Sequence, residues 1–400
     1  MMQVSRLAKG RNSKTASTSF QQHLAILSLL LKGEHETAAE CLRSGSVQGE
    51  FIRFIERHNL QLLIFSLLDG SPVRQSLPQQ YLRELKRFSL QQWARQETLV
   101  RELMQLSAVF ATAGQPFILL KGAYLATRFF GRIDRRLFYD LDILVSRDNL
   151  PAVERLLRTS GYIRRSKILF NETLTTYFTH AFDFAKSNFT LDLHWRLSAN
   201  AAHALDYTAI WRQRQEFALR NRNFFVLSDE YELVFSLISI FKDLERGAAR
   251  LKSFVDLYFI LSALGPRIDW EKFVENRRRE KILRISVNVL ALFLDLFDCR
   301  DRFPAVAKFV ARERALVKRV SSENTAALLE ASLGSLQNKR WAAGVYECSR
   351  VHVFLWWLVS LPFRLLVYDS GKCGRFNRRL QQRISGMRKR VRNRDSRQVL

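Results

Sequence analysis

Two aspartates one residue apart, Asp140 and Asp142, are the residues in this chain best placed to do chemistry. They lie in the run Phe138-Tyr139-Asp140-Leu141-Asp142-Ile143-Leu144-Val145. Strand alternation would put both carboxylates on one face, with Leu141 and Ile143 facing a core. Like charges that close repel unless a cation lies between them. Two hard oxygen donors pointing the same way suit Mg²⁺, or Mn²⁺, which keeps waters and shares its shell with substrate phosphates. The bland alternative is a pair of solvated carboxylates on an edge strand. What raises the pair is its company.

Upstream, Phe117-Ile118-Leu119-Leu120 reads as a buried strand that ends at Lys121-Gly122, and Ala123 to Phe130 reads as a helix. Glycine at a strand-to-helix turn lets backbone N–H groups approach a phosphate, and a helix N-terminus favours anions. Lys121 would add a charge there. A plain turn with a solvated lysine is the other reading. Downstream, Ala181 to Ala185 and Phe189 to Trp195 both alternate, joined by Lys186-Ser187-Asn188, which is turn chemistry. Asp192 and His194 share one face of the second strand. Strand, glycine turn, helix, Asp-x-Asp strand, helix and acidic strand follow one another in the order of the nucleotidyltransferase fold.

The chain resembles a family of poorly characterised bacterial nucleotidyltransferase-fold proteins. Three signatures carry the resemblance: Leu120-Lys121-Gly122, Tyr139-Asp140-Leu141-Asp142-Ile143-Leu144-Val145, and Leu191-Asp192-Leu193-His194-Trp195-Arg196-Leu197. Between them, Leu150 to Tyr162 is similar to the family's helix ending in Gly-Tyr, and Arg135-Arg136 stands near the arginine that precedes its acidic strand. Arg250 to Asp256 resembles its Arg-Leu-Lys-Trp-x-x-Asp helix. Asp192 stands where the family often has Glu. The helix at Leu233 to Asp243 lacks the two histidines the family often carries and retains Lys242.

The resemblance implies a mixed α+β nucleotidyltransferase core with helical flanks. It also implies a Mg²⁺-dependent transfer of a nucleoside monophosphate from an NTP to an acceptor hydroxyl. Asp140, Asp142 and Asp192 would be the catalytic and metal-holding carboxylates. Lys121, Gly122, Arg135, Arg136 and His194 would contact the nucleotide. The rival classes are a non-catalytic nucleotide-binding or scaffold protein at an anionic membrane, and an RNA-binding protein, for which no motif speaks.

Composition adds the partner's charge. The 400 residues carry a net charge of +26 and a 47% hydrophobic fraction, as a globular chain with an anionic partner would. Four dispersed cysteines match no zinc spacing and read as reduced thiols of a cytoplasmic protein. Met1 to Thr18 is basic, without an apolar stretch of the secretory kind, and reads as a disordered arm.

The elements that must position these residues follow from pattern breaks. A basic arm (1–19), a helical domain (20–108), the nucleotidyltransferase core (109–227) and a second helical domain (228–350) precede an apolar segment and basic tail (351–400). The first helical domain divides into Gln21 to Lys32, Glu34 to Arg43, Glu50 to Leu68 and Leu77 to Ala108. Residues 201–226 read as a polar connection with a strand at Asn223 to Leu227. Asp229 and Glu232 read as a capping box. Helices follow at Glu232 to Arg246, Ala249 to Leu264, Asp269 to Lys281 and Leu283 to Phe297. The uncharged run Val351 to Phe363 is too short to span a bilayer. With eleven Lys/Arg against one acid after Gly371, it suits peripheral contact with an anionic membrane, a core helix with a solvated tail, or RNA.

Overall fold

A computed structural model of the chain describes residues 19–165, 167–168, 172–200, 203–318, 329, 336–347 and 368–369. The apolar run and nearly all of the basic tail, with the membrane or RNA contact expected of them, lie outside the described residues. No helix among the described residues is long and apolar enough to cross a membrane.

Helices and a mixed sheet share one apolar cluster, which runs from Phe20 to Tyr346. Residues 19–32 form α1. α2 (His35–Cys41), α3 (Gly45–Arg57), α4 (Gln61–Leu67) and the long α5 (Gln79–Thr112) follow. The single helix expected over Glu50 to Leu68 is in fact two. Asn59 adopts a left-handed φ of 57°, which asparagine tolerates, and α3 ends just before it.

Among the described residues the main sheet has seven strands in the order β3-β5-β6-β2-β1-β8-β7. Its centre is β1 (Ile118–Leu120), β2 (Leu141–Leu144) and β6 (Phe189–His194). Ile118, Leu119, Leu120, Leu141, Ile143 and Leu144 are all buried, because helices cover both faces here. β1 leads into α6 (Gly122–Phe130), and α7 (Leu150–Thr159) follows β2. β3 (Ile163–Arg164), β5 (Ala181–Lys186) and β6 form an antiparallel run, and β6 pairs in parallel with β2. The hairpin turn falls at Ser187, with φ 50°. β4 (Lys167–Ile168) belongs to a separate two-stranded sheet, and α8 (Glu172–Phe178) precedes β5.

The stretch 201–226 is more structured than its polarity suggests. It holds α9 (Tyr207–Arg212), capped by Asp206, then β7 (Gln215–Leu219) and β8 (Arg222–Val226). β7 is a solvated edge strand, so it lacks the apolar alternation that marks a half-buried one.

α10 (Asp229–Glu245), α11 (Leu251–Leu264), α12 (Trp270–Arg279), α13 (Leu283–Phe297) and α14 (Pro304–Arg312) complete the frame. α10 and α13 are buried on almost every side. Phe241, Phe293 and Phe297 each contribute roughly 1.5–3 kcal/mol by leaving water. The capping box is not formed. Ser228 is the N-cap and makes no side-chain cap bond. Asp229 instead pairs with Arg128 and Arg267, and Glu232 is buried at 1% exposure.

Candidate active site

The parallel ladder of β2 and β6 aligns Asp142 with Asp192 and Leu144 with His194. Register partners point to the same side of a sheet, so both carboxylates face one way. Leu141, Ile143, Leu191 and Leu193 fill the opposite face and are buried. Ligand atoms of Asp142, Asp192 and His194 lie within 4.8 Å of one another. His194 Nε2 is 3.1 Å from Asp142 Oδ1, and His194 Nδ1 is buried with no hydrogen-bond partner among the described residues. The two carboxylates suit a hard divalent cation, and an imidazole bonded to one of them fixes its rotamer, as supporting groups around metal ligands do. The donor set therefore fits Mg²⁺ or Mn²⁺.

Asp140 lies one residue before β2, in a bend rather than in the strand, and is half-buried. It is not part of the three-residue set within 4.8 Å. Asp183, across β5, is the register partner of Asp192 and extends the row of carboxylates to a third strand. The alternation of Phe182-Asp183-Phe184 was the signal for it.

The turn after β1 faces the same region. Lys121 has φ 39° and ψ −144°, and Gly122 has φ 51°. A non-glycine residue there costs of order 1–3 kcal/mol, a strain that concentrates at functional sites. A Cβ on Gly122 would meet the carbonyl of Asp140 at 3.5 Å, so the turn and the Asp-x-Asp segment are in contact. The Lys121 ammonium sits 4.5 Å from the centre of the Phe235 ring on α10, and the His194 ring is 6.4 Å from the same ring.

Two turns further along α10 stands Lys242. Burial pulls its ammonium down to about 8, Lys121 and Arg246 push the same way, and Asp142 and Asp243 oppose them. Among the described residues no carboxylate lies within ion-pair distance of Lys121 or Lys242. His180 packs 5.6 Å from His194, and burial with Lys242 beside it holds its pKa well below the ordinary value. The residues alone left Lys242 without a role, because Lys121, Asp142 and His180, which it faces, are remote from it in the sequence.

The two arginines are committed to protein groups. Arg135 Nη1 donates to the carbonyl of Phe130 at 3.1 Å. Arg136 is buried and forms a bidentate pair with Asp256 on α11, at 2.8 and 2.9 Å. Trp195 and Arg196 of the third signature hold the frame. Trp195 packs on Phe182 and donates to Thr176, and Arg196 donates to the carbonyls of Thr176, Tyr177 and Thr179 at the end of α8.

A mixed sheet that presents paired aspartates beside a strained glycine turn defines a nucleotidyltransferase-like protein. The chain belongs to the family described as uncharacterised nucleotidyltransferase, whose model matches residues 45–298. That places it among enzymes of the nucleotidyl-transferring class. Partial similarity extends to several solved structures. ANT(2'')-Ia in complex with adenylyl-2''-tobramycin is 16% identical, with 46% of this chain and 96% of that one covered and a TM-score of 0.33. The lincosamide antibiotic adenylyltransferase LnuA, lincomycin-bound, is 16% identical over 40% of this chain and 94% of its own, with a TM-score of 0.29. A nucleotidyltransferase-like protein from Paracoccidioides brasiliensis is 15% identical over 48% and 92%, with a TM-score of 0.26. No curated protein matches the chain. The family match alone carries the assignment.

Proposed function

We propose that the protein moves a nucleoside monophosphate from an NTP to a hydroxyl acceptor, with Asp142 and Asp192 holding divalent metal. The observation that carries this is the in-register pairing of the two carboxylates on parallel strands, with His194 bonded to one of them. Asp140, at the mouth of β2, would complete a two-metal arrangement. Bound Mg²⁺ would neutralise phosphate charge and polarise the α-phosphoryl group.

The chain's own groups supply the rest. Lys121 and Lys242 would take the β and γ phosphates, since two neighbouring ammoniums with no carboxylate at ion-pair distance among the described residues are relieved by an anion between them. The N–H groups opening α6 at Gly122 would add hydrogen bonds. Arg135 would have to leave the Phe130 carbonyl to reach phosphate or sugar. Asp192 would accept the proton of the acceptor hydroxyl as that oxygen attacks the α-phosphorus. The bond to the bridging oxygen then breaks and pyrophosphate leaves.

The test is to incubate the protein with each α-labelled NTP, Mg²⁺ and a cell extract, beside Asp142→Asn. Label transferred by the native chain and lost in the variant supports the reading. Equal labelling by both, or none with any NTP, overturns it.

A further inference from the structure

We infer that Arg136 and Asp256 form a positioning clamp, through which the helices on both flanks set the placement of the Asp-x-Asp segment and the Lys121-Gly122 turn. The inference deepens the proposed function and rests on it for the identity of the bound metal.

The geometry joins three parts of the chain at one guanidinium. Nε and Nη2 of Arg136 donate to the two carboxylate oxygens of Asp256 at 2.8 and 2.9 Å. Nη1 points to the carbonyl of Gly122 at 3.4 Å. The carbonyl of Arg136 accepts from Gln96 Nε2 at 2.7 Å, and the same amide reaches the Ile133 carbonyl at 3.4 Å. Gln96 belongs to α5, Asp256 to α11 and Gly122 to the turn after β1. The side chains of Arg136 and Asp256 are 5% and 11% exposed, so the pair is closed to solvent on nearly all sides.

Arg136 stands four residues before Asp140 and six before Asp142. The intervening segment is irregular until β2 begins at Leu141. Within it Leu137 and Phe138 are buried and the Tyr139 carbonyl accepts from Thr190, and two anchors hold its ends. β2 is one, and the clamp is the other. A planar fork gripping a carboxylate fixes direction as well as distance, which a lysine would not. Burial opposes the charge on Asp256, yet Arg136 and then Lys252 hold its carboxyl below the ordinary value. Lys252 Nζ is 3.6 Å from Asp256, so the carboxylate is shared but its bidentate face belongs to Arg136. Neither Arg136 nor Asp256 belongs to the metal-binding set, and both act through the residues they place.

The decisive variant removes the charges together. Arg136→Met with Asp256→Asn stays close to the native volumes, leaves neither member of the pair as a lone charge and leaves Lys252 an amide oxygen to bond, so the fold is expected to survive. Mn²⁺ binding, read from the paramagnetic resonance of the free ion, should weaken about 10–100-fold, the usual effect of disturbing groups that orient metal ligands. Amide exchange in residues 131–140 should accelerate. A folded double variant with native Mn²⁺ affinity and native exchange overturns the clamp. If the double variant does not fold, Gln96→Met, which removes only the bond to the Arg136 carbonyl, decides on the same two readouts. Asp142→Asn separates the two levels of argument. Native protein that binds no Mn²⁺ refutes the proposed function, and the exchange measurement alone then decides the clamp.

Discussion

Replacing Glu232 with glutamine should stabilise the protein by an amount that grows with pH. Glu232 lies on the buried side of α10 at 1% exposure, and its Oε2 has no hydrogen-bond partner among the described residues. Burial raises its pKa from 4.5 to about 7, against the opposing charges of Arg128, Lys121 and Arg136 and a hydrogen bond from Tyr124. The sign follows from proton linkage. The folded protein holds this proton more tightly than the unfolded chain, so the contribution is fully present below about pH 4.5. It is lost as pH rises through about 7. The shift from 4.5 to about 7 is roughly 2.5 units, and each unit is about 1.36 kcal/mol. Glutamine keeps the shape of the protonated acid and cannot ionise. Its advantage should therefore be about 1 kcal/mol at pH 5 and about 3 kcal/mol at pH 8.5. Urea unfolding of both proteins at several pH values measures it. A difference that is flat in pH, or that favours the native residue at alkaline pH, would refute the reasoning.

Other expectations concern the site itself. Gly122→Ala should cost about 1–2 kcal/mol in urea unfolding, because the cost is the left-handed backbone and the Cβ itself finds room; unchanged stability counts against it. Asp142→Asn should abolish Mn²⁺ binding in calorimetry and leave stability equal or higher, since it relieves two facing carboxylates. Unfolding of that variant would make the pair structural. Lys242→Met should raise stability by removing a poorly compensated ammonium and weaken ATP binding at least about tenfold, a loss of about 1.4 kcal/mol. Native ATP affinity in that variant would remove Lys242 from the phosphate site.

What could be read beforehand was local. The strand at Leu119, the turn at Gly122, the strand at Ile143 and the hairpin around Ser187 are each set by neighbours a few residues apart. Alternation and turn chemistry expose them. Asp140 shows the limit of that logic. Alternation extends the strand back through it, whereas pairing starts at Leu141 and the chain bends at Asp140 itself. Asn59 broke a helix whose apolar periodicity runs on across it. β7 stayed hidden because an edge strand facing water has no apolar face to announce it. Long-range partners were beyond reach for a simpler reason. His194 meets Asp142 across 52 residues, and Arg136 meets Asp256 across 120. Nothing in either local pattern names the other.

The shared register of β2 and β6 also dictates how this chain tolerates insertions and deletions. The connection between the two strands holds α7, β3, β4, α8 and β5, and its loops can lengthen without moving either aspartate, since the ladder fixes their alignment. A single residue inserted inside β6 ahead of Asp192 is a different matter. It would turn Asp192 and His194 to the opposite face and bring Leu191 or Leu193 out of the core. The loops between them are thus free to vary in length, while a length change within either strand would break the alignment of Asp142 with Asp192.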